Sequence, residues 1–156
     1  MEPEAYPFER AWNYALWLLG RQMRSKAQLK GRLEKKGARA DTVARVMARL
    51  EELNYLDDAA YAELYVASRK RKKGSLAIAQ ELRQKGIAAA TSQAALAQVD
   101  EKAQLQTAKS LIEKNLWRWS GKPQARAKAF AFLARRGFPG EIVKRALEER
   151  ALEGGG

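Results

Sequence analysis

The stretch ELRQKGI, residues 81–87, places a leucine four positions before a glycine and a basic residue directly before it. Two further stretches follow the same pattern, LEKKGA at 33–38 and LARRGF at 133–138. The glycines of the three stretches are 49 and 51 residues apart. A period near 50 residues is typical of an array of supersecondary units.

Each unit is predicted to contain three helices. Ser25 is a preferred N-cap residue, and Gly37 suits the left-handed position that follows a helix. Asp41 is expected to cap the third helix of the first unit, and Thr91 or Ser92 is expected to begin that of the second. β-Branched residues are sparse and no run alternates with a period of two. The fold class is therefore predicted as all-α, with three tandem three-helix, helix-turn-helix-like repeats in an elongated, curved array.

Five segments are predicted along the chain. They are an N-terminal tail at 1–9, repeats at 10–56, 57–100 and 101–152, and a flexible C-terminal end at 153–156. Units of about 50 residues bury little surface alone. Neighbouring repeats are therefore expected to pack together through the short connections at 55–58 and 99–102.

Composition excludes several classes of function. The chain has neither cysteine nor histidine, so it has no disulfide, no zinc site built on Cys or His, and no Cys nucleophile or His base. The usual glycine-rich phosphate loops are missing. Asp57 and Asp58 could form a carboxylate pair, but their place before an apolar helical stripe favours capping. No enzyme activity and no cofactor are expected.

No apolar run approaches the ~18 residues of a membrane span, and the acidic, aromatic N-terminus does not resemble a signal peptide. A cytoplasmic protein with no membrane partner is expected.

The formal charge of +12, from 30 basic and 18 acidic residues, favours a polyanionic partner such as nucleic acid. Five consecutive basic residues occupy positions 69–73, more than a helix dipole rewards. The stretch 91–100 contains no Arg or Lys, which disfavours base reading by the third helix of a repeat. Phosphate contact by the first two helices, tolerant of sequence, fits better.

The candidate partner- or DNA-binding residues are all basic and lie on the first two helices of a repeat or at the break between them. They are Lys26, Lys30, Lys35, Lys36, Arg69, Lys70, Arg71, Lys72, Lys73, Lys85, Lys122, Arg126, Arg135 and Arg136. Those before each glycine are equally well explained by the helix dipole.

Aromatic residues admit two interpretations. Trp117 and Trp119 flank Arg118, where they could stack on exposed bases or pack between helices, which is commoner. Trp17 is predicted to lie in the core. The apolar stripes also place Leu64 and Phe130 facing inward.

The middle unit contains a distinctive series of short motifs: the aspartate pair 57–58, YA at 61–62, YV at 65–66, the basic run with Gly74, and EL with KGI at 81–87. With these motifs it resembles the RecX family of bacterial recombination regulators. The first and last units are also similar, so that the resemblance covers roughly residues 10–150. Tyr14, Trp17 and Gly20 depart from the pattern, which more often has smaller and more charged residues there.

The resemblance implies a modular helical protein that is not an enzyme. It implies binding, expected as a monomer, to the RecA recombinase filament on single-stranded DNA, and suppression of ATP hydrolysis and strand exchange. It also implies some affinity for single-stranded DNA, with double-stranded DNA as a second ligand. Two alternatives stay open: a sequence-independent DNA-binding protein, and a scaffold for an acidic protein.

Overall fold

The computed structural model describes residues 6–150, which contain nine α-helices, one short 3₁₀ helix and no β-strand. The first unit comprises α1 (Phe8–Arg21), α2 (Lys26–Lys35) and α3 (Ala40–Glu52). The second comprises α4 (Asp58–Arg69), α5 (Ser75–Gln84) and α6 (Ala89–Leu96). The third comprises α7 (Glu101–Asn115), α8 (Ala125–Arg135) and α9 (Gly140–Arg150), with the 3₁₀ helix Leu116–Arg118 after α7.

Each unit has its own hydrophobic core. Leu29, Leu33 and Leu50 are fully buried in the first, with Ile78 and Leu82 in the second. A third cluster occupies the last unit. The predicted all-α fold of three three-helix repeats is confirmed. The predicted C-terminal end, 153–156, and most of the N-terminal tail lie outside the described residues.

The repeated glycine has a precise local role. At the end of α2, the N–H of Ala38 donates to the carbonyl of Leu33, and the N–H of Gly37 donates to that of Glu34. This is a Schellman motif, in which the glycine takes a left-handed conformation and an apolar residue packs back on the leucine. The same bonds close α5 and α8. The leucine, glycine and following apolar residue of the repeat are therefore one helix-stop device.

That device, and not a capping side chain, sets the start of α3 and α6, whose N-cap residues make no side-chain capping bond. α3, α6 and α9 all begin three residues after their glycine, at Ala40, Ala89 and Gly140. The prediction that Asp41 caps α3 is wrong, as is the prediction that α6 begins at Thr91 or Ser92. The positions of those side chains fall inside helices whose beginning is already fixed by the turn.

Other caps were predicted correctly. Ser25 accepts from the N–H of Gln28 in a full capping box, and Asp57 accepts from the N–H of Ala60 at 3.0 Å. Asp58 has a separate role, since its carboxylate accepts a hydrogen bond from the N–H of Lys26 at 2.9 Å. That bond crosses from the second unit to the first.

The first joint, between units one and two, is built on the beginning of α2. The buried hydroxyl of Ser25 donates to the carbonyl oxygen of Lys85 at 2.6 Å. Beside it, a Cβ added to Gly86 would lie 2.3 Å from that of Ala27. The joint therefore seats the start of α2 against the end of α5.

The second joint, between units two and three, repeats this arrangement at the beginning of α5. The N–H groups of Gly74 and Leu76 donate to the carbonyls of Arg136 and Gly137 at 2.8 and 2.9 Å. The intervening N–H, of Ser75, donates to the side chain of Gln104. Packing between units was expected at the connecting segments, but the second helices form most of both joints because their ends carry unsatisfied backbone groups.

Candidate anion-binding surface

The basic run at 69–73 spans the end of α4 and the turn before α5. Arg69 is the last residue of α4, Lys70 is its C-cap, and Gly74 is the N-cap of α5. Because the second joint bonds Gly74 to Arg136, the turn is held against the third unit. The charges are therefore presented by a fixed backbone at a boundary between repeats.

Lys73 has a structural partner. Its ammonium lies 3.0 Å from both carboxylate oxygens of Glu81, and the hydroxyl of Tyr65 donates to the same carboxylate at 2.6 Å. Burial raises the pKa of Glu81, but the hydrogen bonds from Tyr65 and Lys73 outweigh it and hold the pKa below its usual value. Lys73 thus joins α5 to the turn and is already neutralised.

Tyr65 organises the neighbouring charge. Burial, reinforced by the bond to Glu81, raises the pKa of Tyr65 to about 12, so it remains a neutral donor. The Arg69 guanidinium lies 4.6 Å from the centroid of the Tyr65 ring and donates to the Ser68 hydroxyl at 2.8 Å. Lys70 donates to the side chain of Gln98 at 3.3 Å.

Arg71 and Lys72 are different. Both are exposed, and neither side chain has an ion pair or hydrogen bond within residues 6–150. An arginine of the third unit joins them, because Arg136 donates to the carbonyl of Lys72 at 3.4 Å. The structure thus unites candidates from two repeats that are more than 60 residues apart in sequence.

Arg118 belongs to the same cluster, although the sequence did not identify it as a candidate. Its guanidinium lies 5.5 Å from the centroid of the Phe132 ring, and that of Arg136 lies 4.6 Å from it. The only signal in the sequence was its place beside Trp117. Arg71, Lys72, Arg118 and Arg136 are called the joint cluster below.

The remaining candidates are dispersed. Lys26 pairs with Glu51 at 3.1 Å, and Lys30 lies 4.0 Å from Glu34, so both have acidic neighbours. Lys85 lines a cleft of about 370 Å³ at the first joint. The others lie away from these contacts: Lys35, Lys122 and Arg135 are exposed, Arg126 is half-buried, and Lys36 lies over the Tyr14 ring.

The two tryptophans beside Arg118 have separate roles. Trp119 is buried and packs edge-on against Phe132, with centroids 5.2 Å apart. Trp117 is 70% exposed, with Arg118 over its ring at 5.1 Å. Packing therefore explains Trp119, and the stacking interpretation stays open for Trp117 alone.

Three core predictions are wrong, because Trp17, Leu64 and Phe130 are exposed. In α1 the inward stripe is Ala11, Ala15 and Leu18, and Trp17 lies beside it. When a helix is rich in apolar residues, periodicity does not show whether a residue one position from the buried stripe lies in the core or on the surface.

None of the helices between residues 6 and 150 is long and apolar enough to cross a bilayer. Within the same residues, no group of three or more acidic side chains is placed to hold a metal ion.

Comparison with known proteins agrees with this architecture unit by unit. Family models described as the first, second and third three-helix domains of RecX match residues 11–50, 57–96 and 102–147. The chain belongs to the RecX family.

Curated relatives carry the name regulatory protein RecX. The relative from Deinococcus radiodurans is 36% identical over 138 residues, covering 88% of this chain and 67% of its own. That from Chlorobaculum tepidum is 35% identical over 141 residues, covering 88% and 86%. The crystal structure of RecX from Lactobacillus salivarius superposes with a TM-score of 0.86 at 26% identity, covering 94% of this chain and 97% of that one.

Proposed function

We propose that this protein binds the filament that RecA recombinase forms on single-stranded DNA, and inhibits its ATP hydrolysis and strand exchange. It would thereby modulate recombinational repair as a cytoplasmic monomer, without a cofactor and without catalysis of its own. Membership of a family of regulatory proteins supports this proposal. The observation that carries it is the joint cluster, which concentrates cations without acidic partners at a boundary between repeats.

The joints suit such a partner. A filament repeats one protomer, so three similar units in a row can each contact a successive copy. Once one unit has bound, its neighbours are held at a high effective concentration near their own sites. Several weak contacts can therefore give tight binding without one strong site. Cations on a fixed backbone also lose less freedom on binding than cations on a mobile loop.

The test is the ATPase rate of RecA on single-stranded DNA with this protein titrated in. Inhibition that saturates near a defined ratio of protein to recombinase is expected. An unchanged rate at stoichiometric excess contradicts the proposal. The variant Arg71→Gln/Lys72→Gln is expected to shift inhibition to higher concentration.

A matched control removes the same formal charge elsewhere. Lys102 and Lys144 are exposed and have no side-chain partner within the described residues, and they lie outside the joint cluster. Lys102→Gln/Lys144→Gln should inhibit like the parent protein. Equal loss in both double variants would assign the effect to net charge.

A sequence-independent DNA-binding protein is the second candidate, favoured by the unpaired Arg71 and Lys72 and the exposed Trp117. It predicts equal affinity for naked and recombinase-coated single strands, with a steep dependence on salt. The inhibitor predicts tighter binding to the coated strand.

A further inference from the structure

The first unit carries an exposed aromatic pair outside the joint cluster. Trp17 is 55% exposed, although it lies in the middle of α1. The ring of Tyr14 is nearly parallel to it, with centroids 6.0 Å and planes 18° apart. A tryptophan stabilises a fold through the large apolar area that it buries. Packing within the unit therefore does not account for Trp17.

Cations from two helices converge on these rings. The Arg21 guanidinium lies 4.9 Å from the centroid of the Trp17 ring, and the Lys36 ammonium lies 4.9 Å from that of Tyr14. From α2, Arg32 donates to the Tyr14 hydroxyl at 3.3 Å. Within residues 6–150 none of the three cations is in an ion pair. Their charge is therefore available to a ligand.

α1 has no side chain at position 20, so Arg21 is the next side chain of the helix to lie over the Trp17 ring. Gly20 lies one turn further along α1, and a Cβ there would meet nothing within 4 Å. Glycine inside a helix lowers helix stability, and at this position no packing contact requires it. The consequence is that no side chain at position 20 shields the indole.

We propose that these five residues form a stacking site for single-stranded nucleic acid, in which a base lies against Trp17 and the three cations contact phosphates. The residues are Tyr14, Trp17, Arg21, Arg32 and Lys36. Aromatic rings bordered by cations bind single strands in this way, with little dependence on sequence.

Charge decides between nucleic acid and an apolar protein segment as occupant. An apolar protein segment over Trp17 would leave the three cations without an acidic partner. Glu34, the acidic residue of α2, lies instead beside Lys30. The site is thus uniformly positive and complementary to a phosphate chain. The inference rests on the proposed function, which supplies single-stranded DNA as the ligand. Binding at this site, however, requires no recombinase.

The test measures binding of a fluorescein-labelled thymidine oligomer of roughly 12 nucleotides by anisotropy, with no recombinase present. Trp17→Leu is expected to weaken binding about tenfold, and Trp17→Phe much less. An abasic oligomer of the same length should bind Trp17→Leu and the parent protein equally. The triple variant Arg21→Gln/Arg32→Gln/Lys36→Gln should lower the slope of log affinity against log salt by about 2.

The control is Leu64→Ala, which removes an exposed apolar side chain from the second unit and should not change affinity. The inference is overturned if Trp17→Leu binds the thymidine oligomer as the parent does, or loses as much on the abasic one. It is also overturned if Trp17→Leu alters only inhibition of the recombinase, since the ring would then contact protein. Failure of the proposed function would instead appear as unchanged ATPase with the parent protein, whatever its affinity for the oligomer.

Discussion

The hydroxyl of Ser25 donates to the carbonyl oxygen of Lys85, 60 residues away, while it caps its own helix by accepting from Gln28. One buried side chain thus stabilises α2 and attaches it to the next unit. Loss of the cap costs about 1 kcal/mol, and leaving the partly buried carbonyl of Lys85 unsatisfied costs about 1–3 kcal/mol.

Ser25→Ala is therefore expected to lower the free energy of unfolding by about 2–4 kcal/mol, measured by urea denaturation. The exposed Ser68 offers a matched control, because its hydroxyl bonds only locally to Tyr65 and Arg69. Ser68→Ala should change stability by less than about 0.5 kcal/mol. Similar losses in the two variants would show that Ser25 contributes nothing across the joint.

Gly37 and Gly137 form a natural comparison, since both have a left-handed backbone, with φ of +93° and +88°. A Cβ at Gly37 meets nothing, whereas one at Gly137 would lie 2.3 Å from the backbone nitrogen of Ala77. Gly37→Ala should cost about 1 kcal/mol from conformation alone. Gly137→Ala should cost at least about 2 kcal/mol more, because the second joint must open. Equal costs by thermal unfolding would refute a role for Gly137 in the joint.

The Tyr65–Glu81 pair predicts stability that changes at both ends of the pH range. The pKa of Glu81 is lowered on folding, so its contribution is complete above its unfolded pKa and is lost as pH falls through the folded one. The pKa of Tyr65 is raised from 10.0 to about 12, so its contribution is complete below pH 10.0 and is lost towards pH 12. Glu81→Gln should abolish part of the acid loss, and Tyr65→Phe part of the alkaline loss. The test is the free energy of unfolding of the parent protein and of both variants, measured across this pH range. Variants with the same pH dependence as the parent would contradict these roles for Glu81 and Tyr65.

The basic run should separate into structural and binding residues. Lys73→Gln removes the partner of Glu81 and should lower stability by about 1 kcal/mol, since the pair is only partly buried. Arg71→Gln/Lys72→Gln should leave stability unchanged and lower the salt slope of single-strand binding by about 1.4. Calorimetry and binding titrations at several salt concentrations test both statements. A stability loss from Arg71→Gln/Lys72→Gln would mean that these residues have a structural role.

The two tryptophans beside Arg118 should behave oppositely on substitution. Trp119→Ala leaves a cavity beside Phe132 and should cost about 3–5 kcal/mol. Trp117→Ala removes an exposed ring and should cost less than about 0.5 kcal/mol. Chemical denaturation of both variants provides the comparison, and a large loss from Trp117→Ala would contradict the assignment.

Sequence reasoning recovered what depends on local chemistry. The leucine and glycine pattern identified the helix stops and the number of units, because the Schellman closure needs those residue types at fixed spacing. Ser25 and Asp57 were identified as caps for the same reason. These features involve residues within about six positions of one another.

The joints were not predictable, because most of their acceptors are backbone carbonyls, such as those of Lys85, Arg136 and Gly137. Every residue has a backbone carbonyl, so the residue type does not show which carbonyls accept these bonds. The candidate surface was only partly predictable for a related reason. The run at 69–73 is uniform in sequence, yet the fold pairs Lys73 with an acid and leaves Lys72 unpaired.

The contact between Ala77 and Gly137 constrains how this chain can vary over evolutionary time. A Cβ at position 137 would lie 2.2 Å from the Cβ of Ala77 and 2.3 Å from its backbone nitrogen, so there is no room for a side chain there. A side chain at the left-handed position 137 would also be strained, and glycine at position 77 would not make room for it, because the backbone of residue 77 lies in the way. Position 137 is therefore restricted to glycine for as long as the second joint is kept, and descendants should retain Gly137 even where residue 77 varies.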